Sequence, residues 1–268
     1  MSHSFFDIDR PTVMGHRGAA GDRPENTLLS FETALAQGAQ ILESDIHLSR
    51  DGVPILLHDP RLERTTDGKG DASEHTWAEL GRLDAGIRFE DEDGNTPFRG
   101  KGVRIPSLEE TFERFPDARF NLEIKCAGFE GIRATLDLVE RFDRADRTLL
   151  AAGEDAIMRD LRTALKIHNT RPAVGASLRE IVTAITSALD DGEMPPGVMA
   201  LQIPSSFGGK PLATPEFVEH AHANGVQVHV WTVNDLDEIE ALLDLGVDGI
   251  ITDYPGKMAD WLKRVGRR

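Results

Sequence analysis

Eight short runs of β-branched or apolar residues recur along the chain, each followed by a longer segment of helical period. The runs fall at 12–15, 41–48, 120–124, 148–152, 172–176, 198–203, 226–233 and 249–252; the helical segments fall at 27–37, 108–115, 132–142, 156–167, 178–189, 215–223, 236–245 and 257–265. Parallel strands need a long crossover, and the crossover helix then covers the sheet, so this alternation predicts an α/β fold. Eight such pairs predict a closed (β/α)8 TIM barrel. A length of 268 residues suits one core, because single cores stop growing near about 250 to 300 residues. The chain is therefore read as a single domain over 1–268.

Local signals mark several boundaries: Ser107 before Leu-Glu-Glu as a capping box, Pro215 after Thr214 as a first-turn proline, and Asn224-Gly225 as a helix stop. The alternation breaks once, between His58 and Ser107, where polar residues and glycine dominate and Trp77, Leu80, Leu83, Ile87 and Phe89 are the apolar anchors. This stretch, about 60–106, is expected to be a small insertion on the barrel rim after the second strand. Its Asp67-Gly68-Lys69-Gly70 lacks the spacing and the strand-to-helix context of a nucleotide phosphate loop.

Charge narrows the partners. With 46 acidic and 30 basic residues the net charge is −16, which repels phosphate backbones and anionic lipid surfaces, so no nucleic-acid partner and no stable membrane anchor are expected. One cysteine, Cys126, allows neither an internal disulfide nor a thiolate zinc site and is read as a small buried hydrophobe. The N-terminus has no basic segment followed by an apolar one, and the expected location is cytoplasmic. Oligomeric state is not legible in the chain.

Barrel enzymes carry their chemistry at the C-terminal ends of strands and on the loops that follow. There the polar residues gather. His16 and Arg17 follow the first strand; Glu43 and Asp45, two apart, share one face of the second strand, opposite Leu42, Ser44 and Ile46; Glu123 and Lys125 repeat the arrangement on the third. His58 follows Pro54-Ile55-Leu56-Leu57, an apolar run reached by a hairpin at Asp51-Gly52. Inward carboxylates are costly unless paired or bound to a cation. Glu43, Asp45 and Glu123 converging imply one divalent metal, and oxygen-only ligation suits hard Mg²⁺ or Ca²⁺, with Mn²⁺ also admissible. The alternative is an ion-pair network of the carboxylates with Arg17 and Lys125, which leaves both histidines unexplained. With the metal, the set suits phosphoryl transfer.

Gly15-His16-Arg17-Gly18, Pro24-Glu25-Asn26-Thr27, Glu43-Ser44-Asp45, His58-Asp59, Arg64-Thr65-Thr66-Asp67-Gly68, Leu122-Glu123-Ile124-Lys125, Val230-Trp231-Thr232 and Gly249-Ile250-Ile251-Thr252-Asp253-Tyr254-Pro255, in that order, closely resemble the glycerophosphodiester phosphodiesterase family. The resemblance implies a barrel with an insertion after its second strand that hydrolyses glycerophosphodiesters to glycerol 3-phosphate and an alcohol with a divalent cation. It implies His16 and His58 as the acid/base pair, and Glu43, Asp45 and Glu123 as metal ligands. Arg17 and Lys125 would bind phosphate, and Trp231 would line the substrate pocket. The stretch from Leu201 to Trp231 is similar to the branch that accepts acylated lysophospholipids. Lysophospholipase D activity is therefore the runner-up, and a barrel that binds a phosphodiester without cleaving it is the non-enzymatic alternative. Which histidine is the acid, and whether water or a glycerol hydroxyl attacks, stay open. Of the remaining motifs, Arg64-Thr65-Thr66 is read as a turn anchoring the insertion, Asp253-Tyr254-Pro255 as the cap of the last helix, and Glu25-Asn26-Thr27 as orienting the first loop. His47 shares the strand face of Glu43 and Asp45 and is a candidate support for them.

Overall fold

In a computed structural model, which describes residues 3–190 and 192–267, the strands are β1 (Thr12–Gly15), β2 (Ile41–Leu48), β3 (Pro54–Leu56), β4 (Arg119–Ile124), β5 (Thr148–Ala151), β6 (Ala173–Val174), β7 (Ala200–Pro204), β8 (Ser206–Phe207), β9 (Lys210–Pro211), β10 (Gln227–Trp231) and β11 (Gly249–Thr252). The helices are α1 (Leu28–Ala36), α2 (Trp77–Leu80), α3 (Leu108–Arg114), α4 (Phe129–Arg141), α5 (Asp155–Ile167), α6 (Leu178–Asp190), α7 (Pro215–Ala223), α8 (Leu236–Asp244) and α9 (Pro255–Arg264). Eight parallel strands run in the order β6-β5-β4-β2-β1-β11-β10-β7, the order of a barrel opened between β6 and β7. Met199 N donates to Val174 O across that gap at 2.9 Å, so the barrel is nearly closed. Among the described residues no helix is long and apolar enough to cross a membrane.

Each of the eight strand runs and eight helical segments is present; the ends of 12–15, 41–48, 249–252 and 215–223 are as expected and the others are shifted. The run expected over 172–176 is a two-residue strand. Pro172 has no N–H for a ladder, and at the other end Gly175 sits tightly, where a Cβ would lie 3.0 Å from Ala151 Cβ and 3.1 Å from Gln202 Oε1, with Gly175 N giving a last bond to Leu150 O at 2.9 Å. The hairpin β8–β9 after β7 carries no apolar alternation and was not expected. β3 pairs antiparallel with β2, as the turn at Asp51-Gly52 predicts. Ser107 and Glu110 form the capping box of α3, Thr27 caps α1, and Thr214 with Pro215 starts α7.

Alternation sorts the strand side chains into two layers. Leu42 and Ile46 of β2 and Leu122 and Ile124 of β4 pack outward against α1, α3, α4 and α5, together with Phe31, Phe112, Leu136 and Leu161. The outward residues of β7, β10 and β11 meet α7, α8 and α9 in a second cluster. The interior holds Met14, Ile41, Leu149, Ala173, Ala200 and Ile251, with Phe5 packed against them. The segment between β3 and α3 has its own small core, in which Ile55, Leu57, Leu62, Ala72, Leu80, Ala85 and Ile105 are buried beside Trp77, Leu83 and Val103. It is thus better anchored than the sequence suggested; Ile87 is not in that core, and Phe89 pairs edge-on with Phe98 instead. Cys126 is half-buried against the outer layer of β4 rather than fully enclosed, and burial raises its thiol pKa.

Candidate active site

The turn after β1 is forced by close approach. A Cβ on Gly15 would lie 2.4 Å from Gly18 O, and one on Gly18 would lie 2.4 Å from Ser30 Oγ. Arg17 and Gly18 both have positive φ, +50° and +87°, which turns Arg17 N toward Glu43 Oε2 at 3.0 Å. Arg17 Nη1 donates to Glu25 Oε1 at 2.8 Å, and Arg17 Nε lies 3.6 Å from Asp45 Oδ2.

Register explains the carboxylates. Glu43 pairs with Asn121 and Asp45 with Glu123 across β2 and β4, so Glu43, Asp45 and Glu123 rise on one inward face. Lys125 Nζ lies 2.8 Å from Glu123 Oε2 and 3.3 Å from Asp45 Oδ1. Asn26 bridges the two faces of β2, donating to Asp45 Oδ2 at 3.1 Å and accepting from Ser44 Oγ at 2.6 Å. Glu43 is buried, and burial first, then the charge of Asp45, raise its carboxyl pKa to about 7. Burial opposes the charge on Lys125, but Asp45 and Glu123 outweigh it and raise the ammonium pKa.

Both candidate acid/base residues are held at Nδ1. His16 Nδ1 lies 2.6 Å from Asp253 Oδ1, and Asn234 Nδ2 donates to Asp253 Oδ2 at 2.7 Å. Burial alone would lift the Asp253 carboxyl, but the bonds from His16 and Asn234 and the charges of His16 and Arg17 hold it below its usual range. Against that carboxylate His16 donates from Nδ1, which leaves Nε2 free to exchange a proton. Burial lowers the His16 pKa, yet Asp253 and Glu43 outweigh it, and the ring sits above its ordinary value. His58 Nδ1 lies 2.7 Å from Asp59 Oδ1, and His47 Nε2 lies 3.0 Å from the His58 carbonyl oxygen. Trp231 closes β10 beside the mouth and is 43% exposed.

Three residues missed as site components emerge here. Asp253 is the acceptor for His16 as well as part of the turn into α9; Asp59 is the acceptor for His58; and Asn234, just before the N-cap of α8, orients Asp253. Asp59 follows its histidine directly, a signal that sequence could have supplied. Asp253 lies 237 positions from His16, and only barrel closure pairs them.

The donor set is compatible with a hard divalent cation. All three carboxylates offer oxygen, the donor type a hard cation takes, and the charge of Asp45 adds to burial in raising the Glu43 carboxyl. The expected convergence of Glu43, Asp45 and Glu123 is not what the structure shows: among the described residues no three His, Cys, Asp or Glu side chains lie close enough together to hold a metal ion, and Lys125 and Arg17 pair with the carboxylates as in the ion-pair alternative.

Residues 16–257 match the glycerophosphoryl diester phosphodiesterase family. A glycerophosphodiester phosphodiesterase of Caldanaerobacter subterraneus is 31% identical over 262 residues, 95% of this chain and 98% of that protein. The human lysophospholipase D GDPD1 is 28% identical over 93% of this chain and 85% of that protein. Among solved structures, an Oleispira antarctica phosphodiesterase in complex with the product sn-glycerol-3-phosphate superposes with a TM-score of 0.77 at 29% identity, covering 94% of this chain and 97% of that one. With the barrel, the paired histidines and this match over nearly the whole chain, the protein belongs to the glycerophosphoryl diester phosphodiesterase family.

Proposed function

We propose that this chain hydrolyses glycerophosphodiesters to glycerol 3-phosphate and an alcohol, using His16 and His58 as the proton-transfer pair and one divalent cation, Mg²⁺, Ca²⁺ or Mn²⁺, held by Glu43, Asp45 and Glu123. The observation that carries this is the symmetry of the histidines: each is oriented at Nδ1 by its own carboxylate, beside a cluster of inward carboxylates. One ring takes the proton of the attacking hydroxyl while the other protonates the departing alkoxide, so the P–O bond formed replaces the one broken and no net proton leaves the site. Arg17 and Lys125 bind the phosphoryl oxygens; Lys125 has a flexible stem and can turn from Asp45 and Glu123 toward an anion. The cation supplies charge stabilisation for the phosphoryl group when bound. The single thiol, Cys126, suits a reducing compartment, and the cytoplasm is the proposed location.

Acceptance of single-chain acylated substrates is a second reading, favoured by one feature. Phe129, Leu178 and Phe207 follow the C-terminal ends of β4, β6 and β7, Trp231 ends β10, and all four are exposed. They put exposed apolar side chains at the strand ends around the mouth, and a lysophospholipase D is among the relatives.

The test is release of glycerol 3-phosphate from glycerophosphocholine, glycerophosphoethanolamine and glycerophosphoglycerol, and of lysophosphatidic acid from lysophosphatidylcholine. Metal-stripped protein is assayed with each cation added back. Turnover of at least one substrate, dependent on cation, is expected. Full activity after exhaustive chelation would remove the metal from the proposal, and no turnover of any substrate would remove the activity.

A further inference from the structure

We propose that Arg64, in the first turn of the rim segment, is a positioning residue that holds His58 and Arg17 in one frame. The inference rests on the phosphodiesterase reading above and adds to it a structural role for the insertion. Arg64 Nη1 and Nη2 donate to Glu25 Oε2 and Oε1 at 2.7 and 2.8 Å, a bidentate fork. Its Nε donates to Asp59 Oδ2. Each of these carboxylates has a second partner in the site: Asp59 Oδ1 meets His58 Nδ1 at 2.7 Å, and Glu25 Oε1 accepts from Arg17 Nη1 at 2.8 Å. The result is a continuous line, His58–Asp59–Arg64–Glu25–Arg17, that joins the loop after β3 to the turn after β1.

The geometry requires a guanidinium. All three of its nitrogens are used, in two directions, and a lysine ammonium cannot span two carboxylates in one plane. The backbone beneath it is held in place: Leu62 is fully buried in the rim core, Leu62 N donates to Gly70 O at 3.0 Å, and Thr66 Oγ1 donates to Leu62 O at 2.7 Å. Glu25 is largely enclosed, with its side chain 19% exposed, and Arg64 and Arg17 hold its carboxyl below the usual range against the effect of burial. Arg64 is itself 45% exposed, so it is the bidentate geometry and the enclosed Glu25, rather than burial of the guanidinium, that separate the line from an isolated surface ion pair. Arg64 touches no proposed reacting atom; it acts through Asp59 on the orientation of the His58 ring and through Glu25 on the guanidinium of Arg17.

The two arms give separable signatures. Steady-state kinetics on glycerophosphocholine with cation present, together with thermal unfolding, are measured for wild type, Arg64→Ala and Arg64→Lys. Supports of this kind typically carry about 10- to 100-fold in activity. Arg64→Ala is expected to lower kcat by about that factor through His58 and to raise KM through Arg17, with unfolding near wild type. Arg64→Lys keeps the charge and should keep most of the defect, whereas millimolar guanidinium chloride should restore part of the activity of Arg64→Ala but not of wild type. Combining Arg64→Ala with Asp59→Asn should cost no further kcat, and combining it with Glu25→Gln no further KM. Wild-type kinetics in Arg64→Ala, full rescue by Arg64→Lys, or fully additive double variants would each overturn the inference while leaving the activity itself intact. An inactive wild type would instead overturn the underlying reading.

Discussion

The two sides of the barrel interior share one strand geometry and one apolar cluster, in which Met14, Ile41 and Ile251 lie with Leu149, Ala173 and Ala200, and differ in the charge they carry beside it. On β1, β2 and β4, and just after β11, the inward residues near the mouth are His16, Glu43, Asp45, Glu123 and Asp253; across the barrel, β5, β6 and β7 present Leu149, Ala151, Ala173 and Ala200. The rim differs in the same way, with charged loops after β1 and β3 and exposed Leu178, Phe207 and Trp231 after β6 and β7 and at the end of β10. Two histidines, one half-buried and one fully buried, show what the difference does. His16 has a carboxylate at 2.6 Å and a raised pKa. His229 of β10 is fully buried with Nε2 against the neutral Gln227 amide and Nδ1 without a partner, and burial lowers its pKa to about 4 despite the charge of Asp248. Burial alone yields an inert, neutral ring; burial beside a positioned carboxylate yields one able to exchange a proton near neutral pH.

The largest expected effect tests the charged side. His16→Ala and His58→Ala should each lower kcat on glycerophosphodiesters by at least ~10²-fold with thermal unfolding near wild type. Near-wild-type turnover by either variant would take that ring out of the proton-transfer pair.

A smaller effect concerns His229. Its folded pKa of about 4 lies below its ordinary value of 6.5, so as pH falls through this window the unfolded chain takes up the proton first and stability is lost. Between pH 7 and pH 5 this amounts to roughly 2 kcal/mol at about 1.36 kcal/mol per pKa unit. Urea unfolding of wild type and His229→Asn at both pH values should show the steeper loss in wild type; equal losses would exclude His229 as the source.

The smallest effect probes the apolar side. Phe207 is 76% exposed on the β8–β9 hairpin, so Phe207→Ser should change stability and turnover of glycerophosphocholine within about twofold, the usual range for a surface position. If the acylated reading holds, lysophosphatidylcholine turnover falls several-fold in the same variant. Parallel behaviour of both substrates would leave the apolar rim without a role in substrate choice.

Much of this was legible in the chain. Glu43 with Asp45, and Glu123 with Lys125, carry the period of a strand in their spacing, and Gly15 to Gly18 announce the turn that presents His16. Ser107, Thr214 and Pro215 are local caps whose partners lie within three residues. The strand expected over 172–176 is only two residues long: Pro172 brings no N–H to its start, and the neighbours that crowd Gly175 at its end, Ala151 and Gln202, lie on other strands, out of reach of any local pattern. Arg64 looked like a turn anchor because its partner Glu25 lies 39 residues away.

The sequence by itself determined the alternation, the face each strand residue occupies, and the oxygen-rich character of the site, because these follow from backbone periodicity and side-chain chemistry within one element. Tertiary structure alone decided that Asp253 receives His16, that Arg64 joins Glu25 to Asp59, and that Met199 bridges to Val174 where the barrel nearly closes. Those pairings depend on strand register and closure, which bring together residues that no local spacing relates.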